Sequence, residues 1–275
     1  MPDSCLGIRH PLRSRSVPGL IPFLFLAALI PLTACQKKHV VARQVTGPNE
    51  TNAYLLYDVS TGKAALLDVA GPIDTLIALI DREGLQVEYL FTTHGHPDHV
   101  QGLPEVRSRF PEALWGISPE EFEDLSFYAR FEEELPPDLV AGMRAAAEQD
   151  PAFAEMLAFD FVRLGEPDLF LEEGGVHKLG DLEIHTLLTP GHSRGSISFH
   201  VGNALFSGDV LFQGGVGRTD FPKSGGAEAM NASVRKLYDF LPGETIVYPG
   251  HGEVTDISTE KLLGTGVQGD TGGSP

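Results

Sequence analysis

Three histidines and an aspartate lie within the seven residues from Thr93 to His99, which read Thr-His-Gly-His-Pro-Asp-His. Imidazole and carboxylate groups are costly to bury in an ordinary apolar core, because each needs polar partners once it is removed from water. A metal centre supplies such partners. The run therefore predicts a metal site at the point where an apolar stretch, 87–91, ends.

The residues around this run predict a strand followed by a helix. The apolar stretch is typical of a buried strand, and Pro97 is favoured at the first position of a helix. His94 and His96, separated by a glycine on the loop, can point at one ion. Asp98 and His99 follow on the helix, where each residue turns the side chain by about 100°. They are therefore predicted to face a second, adjacent ion.

Three further motifs place a histidine or an aspartate directly after an apolar, strand-like run. They are Thr189-Pro190-Gly191-His192, Ser207-Gly208-Asp209 and Tyr248-Pro249-Gly250-His251. Each motif alone is weak evidence, because a histidine after a turn is more often a surface residue than a ligand. Together with the first run, they repeat one arrangement four times, with a potential ligand at the end of a strand.

As a set, these motifs resemble the metallo-β-lactamase superfamily and, within it, the glyoxalase II-like hydrolases. The matching residues are the run from His94 to His99, His192, Asp209, Gly217-Arg218-Thr219-Asp220-Phe221-Pro222, His251 and the earlier Asp68. The resemblance covers about 40–261, with one large interruption. It implies an α/β fold, a four-layer αββα sandwich, for a domain of residues 36–262.

The resemblance also implies a centre of two divalent metal ions. His94, His96 and His192 would bind the first ion, Asp98, His99 and His251 the second, and Asp209 would bridge them. Zinc is the default for these ligands, and iron or manganese would also suit them. Asp98 is additionally assigned a catalytic role in steering a proton. Asp68 is expected to orient a ligand rather than to bind metal.

The activity implied by the resemblance is cleavage of a thioester or related acyl substrate by a metal-bound hydroxide. Metal binding can lower the pKa of water from about 15.7 to about 7, which makes hydroxide available at neutral pH. Three alternatives stay open: a persulfide dioxygenase with one iron, a lactonase or β-lactamase-type hydrolase, and a non-catalytic, lipid-anchored binding module. Glutathione recognition is in doubt, because the sequence after His251 does not match the C-terminal helical domain of glyoxalase II enzymes.

The charge of the chain argues against nucleic acid as a partner. The formal net charge is −18, and residues 1–35 carry three arginines and one aspartate, or +2, which leaves −20 for the remainder. Phosphate binding needs a basic surface. A small acyl or thioester molecule is the expected partner.

The first 35 residues are predicted to be a bacterial lipoprotein signal peptide. Three arginines precede an uncharged stretch, 16–34, and the segment ends Leu32-Thr33-Ala34-Cys35, which resembles a lipobox. Cys35 would carry the lipid, and Gln36 behind it is compatible with transfer to the outer membrane. The protein is thus expected to be exported and anchored at the periplasmic face of the cell envelope. An uncleaved membrane anchor is the alternative.

An acidic segment, about 117–170, interrupts the resemblance. From Ile117 to Asp168 it has fourteen Asp and Glu residues and three Arg, and it favours helices with an apolar face of Phe122, Leu125, Phe127, Tyr128 and Phe131. We predict a helical insertion beside the mouth of the active site, with a solvated decoration far from substrate as the alternative. The tail, 263–275, lacks apolar spacing and is predicted to be disordered.

Four other polar residues were considered as candidates. His177, His185 and His200 are expected to have packing or surface roles, because none of them has ligand spacing. Arg194 follows the Thr-Pro-Gly-His-Ser motif and could contact a substrate carboxylate. The alternative is that Arg194 only decorates the loop.

Overall fold

Alternating apolar residues form two six-stranded mixed β-sheets in the computed structural model, which describes residues 39–266. These residues belong to one compact unit, 37–275, and a second unit comprises 1–36. The predicted signal peptide, with Cys35, therefore lies outside the described residues, as does the part of the predicted tail from 267 to 275. Within the described part, no helix has the length and apolar character needed to cross a membrane.

The first sheet combines antiparallel and parallel strands. β1 pairs antiparallel with β2 and β2 with β3, whereas β3, β4, β5 and β6 pair in parallel. In sheet order the strands are β1 (His39–Thr46), β2 (Thr51–Asp58), β3 (Lys63–Leu67), β4 (Gln86–Phe91), β5 (Leu114–Ile117) and β6 (Leu169–Phe170). Strand-like runs in the sequence around 40–45, 53–59, 63–68 and 87–92 correspond to β1, β2, β3 and β4.

The second sheet is antiparallel except for one parallel pair, β10 with β11. Its spatial order runs from β12 through β11, β10, β9 and β8 to β7. The strands are β7 (Val176–Leu179), β8 (Leu182–Leu188), β9 (Ile197–Val201), β10 (Ala204–Gly208), β11 (Ile246–Pro249) and β12 (Thr255–Asp256).

Helices cover the outer faces of both sheets. They are α1 (Asp74–Glu83), α2 (Pro97–Val100), α3 (Leu103–Arg109), α4 (Pro119–Tyr128), α5 (Phe131–Glu134), α6 (Pro137–Gln149), α7 (Pro151–Leu157), α8 (Gly226–Phe240) and α9 (Ile257–Leu263). The amphipathic pattern of residues 72–83 favours a helix, and α1 covers this run except for its first two residues. α1 ends at Gly84, which adopts the left-handed conformation (φ 63°) common after a helix.

Three apolar cores separate these elements into four layers. One core lies between the first sheet and its helices, a second lies between the two sheets, and a third lies between the second sheet and α8 and α9. Successive side chains of a strand point to opposite faces of its sheet. Leu55 and Leu66 therefore face the first core, while Leu56 and Leu67 face the second. The predicted four-layer αββα sandwich is therefore confirmed.

The acidic segment predicted as a helical insertion is the connection between β5 and β6. It contains α4 to α7 and a 3₁₀ helix, Phe161–Leu164. Proline stands within the first two positions of α4, α6 and α7, where its fixed φ suits a helix start. Four of the five residues predicted to form the apolar face are buried or packed against the first core: Phe122, Leu125, Phe127 and Tyr128.

Residues 263–266, where the predicted disordered tail starts, have defined contacts with the domain. Leu263 is the last residue of α9, and Gly264 closes the helix in a left-handed conformation. Thr265 is buried, and its hydroxyl donates to Glu260 Oε2 at 2.7 Å while its carbonyl accepts from Tyr238 Oη at 2.9 Å. The start at residue 263 was therefore wrong, because these polar contacts hold a segment that lacks apolar spacing.

Candidate metal centre

The seven residues predicted to bind metal converge in three overlapping groups. Within each group, one nitrogen or carboxylate oxygen per residue lies within 4.8 Å of those of the other members. The groups are His94, His96 and His192; His94, His99 and Asp209; and Asp98, His99 and His251.

The convergence follows from the way the strands end. β4, α2, β8, β10 and β11 deliver the seven residues to one end of the sandwich. Main-chain hydrogen bonds join the two sheets at this end, since Ile197 N donates to Thr93 O at 2.9 Å and Asn52 N donates to Gly250 O at 2.7 Å. The four strand-end motifs therefore meet, as their repeated arrangement predicted.

The first group consists of three imidazoles. The Nδ1 atom of His96 lies 2.8 Å from the Nε2 atom of His192. The ring of His94 lies edge to face with both other rings, at a centroid distance of 4.7 Å in each case. Three ring nitrogens can therefore approach one small cation from different directions.

The group of Asp98, His99 and His251 combines two imidazoles and a carboxylate. The Nε2 atoms of His99 and His251 lie 3.4 Å apart. The Oδ2 atom of Asp98 lies 3.7 Å from Nε2 of His251 and also accepts a hydrogen bond of 2.8 Å from the side-chain amide of Asn49. This donor set of two nitrogens and one oxygen could hold a second cation.

The carboxylate of Asp209 lies between the group of His94, His96 and His192 and the group of Asp98, His99 and His251. These two groups are the prospective sites of the two ions. Its Oδ2 atom is 3.5 Å from Nε2 of His192 and 3.4 Å from Nε2 of His251, and its Oδ1 atom is 3.5 Å from Nε2 of His99. One carboxylate is therefore within reach of both prospective ions.

Unpartnered buried atoms indicate that these residues fit a metal centre. Nε2 of His94 and Oδ1 of Asp209 are buried and have no hydrogen-bond partner. A buried polar atom without a partner is costly, and such atoms in a native structure call for an explanation such as a missing ion. Cations at the two groups would provide the missing interactions.

Hydrogen bonds to the other ring nitrogens leave the inward-facing ones free to bind metal. Nδ1 of His192 lies 2.8 Å from the carbonyl of Arg218, and Nδ1 of His251 lies 2.9 Å from the carbonyl of Asn49. A carbonyl only accepts, so both Nδ1 atoms must carry the hydrogen and donate it. In the neutral form of each ring, Nε2 is then the nitrogen without a hydrogen, which is the form that binds a metal ion.

A family model described as the metallo-beta-lactamase superfamily matches residues 46–251 of this chain. The chain belongs to the metallo-β-lactamase superfamily. Hydroxyacylglutathione hydrolase GloC of Haemophilus influenzae is 31% identical over 243 residues, which are 85% of this chain and 93% of the relative. Probable metallo-hydrolase YqgX of Bacillus subtilis is 33% identical over 221 residues, 80% of this chain and 93% of the relative.

One solved structure is similar to this chain in fold as well as in sequence. The crystal structure of TTHA1623 in a di-iron-bound form has 29% sequence identity and a TM-score of 0.62, and the match covers 81% of this chain and 98% of that chain. The two structures therefore share the sandwich over nearly the whole length of the solved chain.

Asp68, the match to the structural aspartate of the superfamily, orients side chains of both groups. Its carboxylate accepts hydrogen bonds of 2.8 Å from the main-chain nitrogen and the hydroxyl of Thr93. Because that hydroxyl gives its hydrogen to Asp68, Nδ1 of His94 must be the donor in its 3.0 Å contact with Thr93. Nδ1 of His99 also lies 3.1 Å from Asp68. Asp68 thus orients His99 directly and His94 through Thr93.

The charges of the metal-free centre favour cation binding. Burial, together with the neighbouring His192, lowers the pKa of His96 to about 3. Burial also acts to lower the pKa of His99, but the carboxylates of Asp209 and Asp68 outweigh it and raise that pKa to about 10. Burial acts to raise the pKa of Asp209, yet its histidine neighbours hold it below its usual value. A cation that binds here must therefore replace the proton on His99.

Two glycines allow the close approach of the strand ends. A Cβ atom on Gly250 would lie 2.2 Å from Oδ1 of Asp209 and 2.9 Å from Cε1 of His99. A Cβ atom on Gly217, in the Gly-Arg-Thr-Asp-Phe-Pro motif, would lie 2.1 Å from the carbonyl of Asp209 and 3.0 Å from Nδ1 of His192. Any larger residue at either position would displace the central carboxylate or a histidine.

Glu121 is a functional residue that sequence analysis missed. It is fully buried in the first turn of α4, where its two carboxylate oxygens accept hydrogen bonds of 2.7 Å from Gly95 N and 2.9 Å from Gly195 N. Gly95 lies between two predicted ligands, and Gly195 lies three residues after His192. Burial raises the pKa of Glu121, although these hydrogen bonds act in the opposite direction. One side chain therefore ties both ligand-bearing loops to α4.

Arg194 has neither of the roles considered from the sequence. Its guanidinium forms two hydrogen bonds with the buried carboxylate of Asp124 on α4, one of them 2.7 Å long, and a third of 3.0 Å with Glu123. The ammonium of Lys223 lies 3.4 Å from Asp124 on another side. Arg194 thus connects the His192 loop to the β5–β6 connection.

The three histidines expected to be bystanders lie in strands of the second sheet, apart from the three groups. His177 on β7 packs against Phe91 at a ring distance of 5.3 Å. His185 on β8 and His200 on β9 face each other across the register, with ring centroids 6.3 Å apart. These contacts agree with packing roles.

Proposed function

We propose that this protein is a hydrolase that binds two divalent metal ions with His94, His96, Asp98, His99, His192, Asp209 and His251, and that it cleaves a thioester or related acyl substrate. The observation that carries the proposal is the carboxylate of Asp209, which lies within 3.5 Å of histidine nitrogens from both groups. The di-iron-bound form of TTHA1623 and the hydroxyacylglutathione hydrolase named among the relatives support it.

Two divalent ions, when bound, would lower the pKa of a water molecule and polarise the carbonyl of the substrate. The residues of the chain hold and orient this chemistry. Asp209 holds the two groups at a fixed separation, and the carbonyls of Arg218 and Asn49 fix the ring orientations of His192 and His251. Asp98 also lines the adjoining cavity, where its carboxylate can accept the proton released as water adds to the carbonyl and pass it to the thiolate as the C–S bond breaks.

Zinc is the metal that we propose first, because mixed imidazole and carboxylate donors are usual for it. Iron and manganese suit the same donors. No cysteine of the described residues lies at the centre, so sulfur does not bias the choice. The identity of the metal is best decided by loading the protein with each ion in turn.

The proposal is tested with the full chain after removal of metal by a chelator. We expect reloading with zinc, iron or manganese to restore hydrolysis of a thioester in a panel that also contains a lactone, a β-lactam and a persulfide. The variant His96→Ala should lose metal and hydrolysis together, whereas His200→Ala, a histidine on β9 outside the centre, should retain both.

Two outcomes of this panel would count against the proposal. Failure of every metal to support hydrolysis of any acyl substrate would overturn it. Oxygen consumption with the persulfide, at one iron per chain, would support the dioxygenase alternative instead.

We also propose that the protein acts outside the cytoplasm, anchored by a lipid on Cys35. The support for this location is the sequence of residues 1–35, with its basic start, its uncharged stretch and its lipobox-like end. A centre without thiol ligands is compatible with an oxidising compartment.

A further inference from the structure

A cavity of about 640 Å³ opens directly onto the candidate metal centre. Five of the seven proposed ligands form part of its wall, and the remaining wall comes from α4, α6, α7 and the loop 212–222. The volume lies within the range of roughly 300–1000 Å³ that is typical of pockets for small molecules. A substrate bound at the centre would therefore extend into this cavity.

The wall beyond the centre is formed by hydrocarbon and aromatic side chains. Leu139 and Met143 lie one turn apart on α6, and Phe153 and Met156 lie three residues apart on α7. Residues three or four apart share a face of a helix, so each helix presents one apolar face to the cavity. Leu139 is 36% exposed, which leaves apolar surface open to water unless a ligand covers it.

Few polar groups of the described wall are available to a ligand. Outside the centre, the polar side chains are Asn49, Tyr128 and Arg218. The amide of Asn49 donates to Asp98. The hydroxyl of Tyr128 is buried and has no hydrogen-bond partner, so it is one polar group that a ligand could contact. The guanidinium of Arg218 donates two hydrogen bonds to Asp220, of 2.9 and 3.0 Å, and stacks on Phe221 at 4.1 Å.

This wall is a poor match for a charged peptide such as glutathione. Charged groups that leave water need hydrogen-bond partners or counter-ions, and their transfer into an apolar site without them is strongly unfavourable. A hydrocarbon chain has no such requirement, and it gains free energy with each methylene group that leaves water.

We infer that the acyl group of the substrate is a hydrocarbon chain of several carbons, bound between α6 and α7 with its carbonyl at the metal centre. The inference rests on the proposed function for the reaction itself, but the apolar binding site can be tested without it. Thioesters of medium-length fatty acids are the substrate class that fits. Small polar hydroxyacyl groups would leave most of the cavity empty.

Binding of straight-chain alcohols to the full chain tests the cavity directly. The probes are 1-butanol, 1-hexanol and 1-octanol, measured by isothermal titration calorimetry. We expect the dissociation constant to fall about fourfold for each added methylene, which corresponds to about 0.8 kcal/mol. A dissociation constant that does not depend on chain length would overturn the inference.

A matched pair of variants shows where the hydrocarbon chain of the alcohol binds. Leu139→Asp should weaken 1-octanol binding about tenfold or more, because it places a carboxylate in the apolar wall. Leu262→Asp, at an exposed leucine of α9, should leave binding unchanged. Equal effects of the two variants would contradict binding between α6 and α7.

Hydrolysis of acetyl, butanoyl and octanoyl thioesters of N-acetylcysteamine separates this inference from the proposed function. We expect kcat/KM to rise about fourfold per methylene. Octanol binding without hydrolysis of any thioester would overturn the proposed function and leave the cavity inference standing. Hydrolysis of all three thioesters at equal rates, with no length dependence of alcohol binding, would overturn the cavity inference and leave the proposed function standing.

Discussion

Two buried carboxylates, Asp68 and Glu121, hold the loops that carry the candidate ligands. Asp68 could be assigned from the sequence because it belongs to a recognisable motif set. Glu121 could not, because an acidic residue in the first turn of a helix is common for reasons of the helix dipole alone. Its partners, Gly95 and Gly195, are main-chain nitrogens that lie far from it in the sequence.

Glu121→Gln tests the anchoring role of this carboxylate. The side-chain amide would place an N–H group beside the main-chain N–H of Gly95 or Gly195, and two donors cannot form a hydrogen bond with each other. We therefore expect a loss of about 1–3 kcal/mol in the free energy of unfolding. Metal affinity should fall by about 10–100-fold, because the loops that carry the ligands lose their common support. Urea unfolding and competition with a chelator measure the two effects. The exposed neighbour variant Glu120→Gln should change neither, and equal results for both variants would exclude the role.

Gly250→Ala tests the close approach at the central carboxylate. The added methyl group would lie 2.2 Å from Oδ1 of Asp209, so either the carboxylate or the strand end must move. We expect a loss of about 100-fold in kcat/KM, the size that a displacement of about 1 Å can cause. In the control, Gly142→Ala on α6, the methyl group meets no atom within 4 Å. It should retain activity and gain up to about 1 kcal/mol of stability. Full activity of Gly250→Ala would contradict the geometry described for Asp209.

Local sequence patterns predict the strands and turns of the candidate site better than they predict the contacts between these elements. The strand-end position of each ligand motif was predicted because an apolar run and a Pro-Gly turn are visible within a few residues. The contacts of α4 with the His192 loop were not predicted, since Asp124 and Arg194 are 70 residues apart. The cavity was not predicted either, because the sequence does not show which surface the apolar faces of α6 and α7 line in the folded protein.

Asp124→Asn tests the contact between α4 and the His192 loop. Asp124 is 1% exposed, whereas Arg194 is 40% exposed, so solvent screens part of the interaction. We expect a loss of about 1–3 kcal/mol in the free energy of unfolding, as for a hydrogen bond to a charged group. Glu132→Gln removes the surface partner of Arg144 and should have no measurable effect. A result in which both variants unfold alike would show that the Arg194 contact is an ordinary surface pair.

At the scale of the whole molecule, the two packed sheets bring the ends of β4, β8, β10 and β11, together with α2, to one end of the sandwich. The fold was predictable because the ligand motifs belong to one superfamily and the apolar runs between them alternate as strands do. The contacts of residues 263–266 were not predictable, because Thr265 is held by hydrogen bonds to Glu260 and Tyr238 rather than by apolar spacing. The acidic composition argued against nucleic acid as a partner, and it did not identify the substrate.

Cys35→Ala tests the proposed location of the molecule. If Cys35 carries a lipid, the wild-type chain should incorporate a labelled fatty acid and sediment with membranes. The variant should lose the label. Cys5→Ala, which changes the other cysteine of the chain, should keep both properties. Labelling of the Cys35→Ala variant would rule out this anchor.

The number of metal ions bound per chain tests the central claim most directly. We predict two divalent ions per chain by elemental analysis of the purified full chain after loading. Seven ligand-type side chains converge in groups that share His94 or His99, and Asp209 lies within 3.5 Å of His192 and His251. The variant Asp209→Ala should bind fewer than two. A wild-type chain that binds fewer than two ions after loading, or an Asp209→Ala variant that still binds two, would contradict the account.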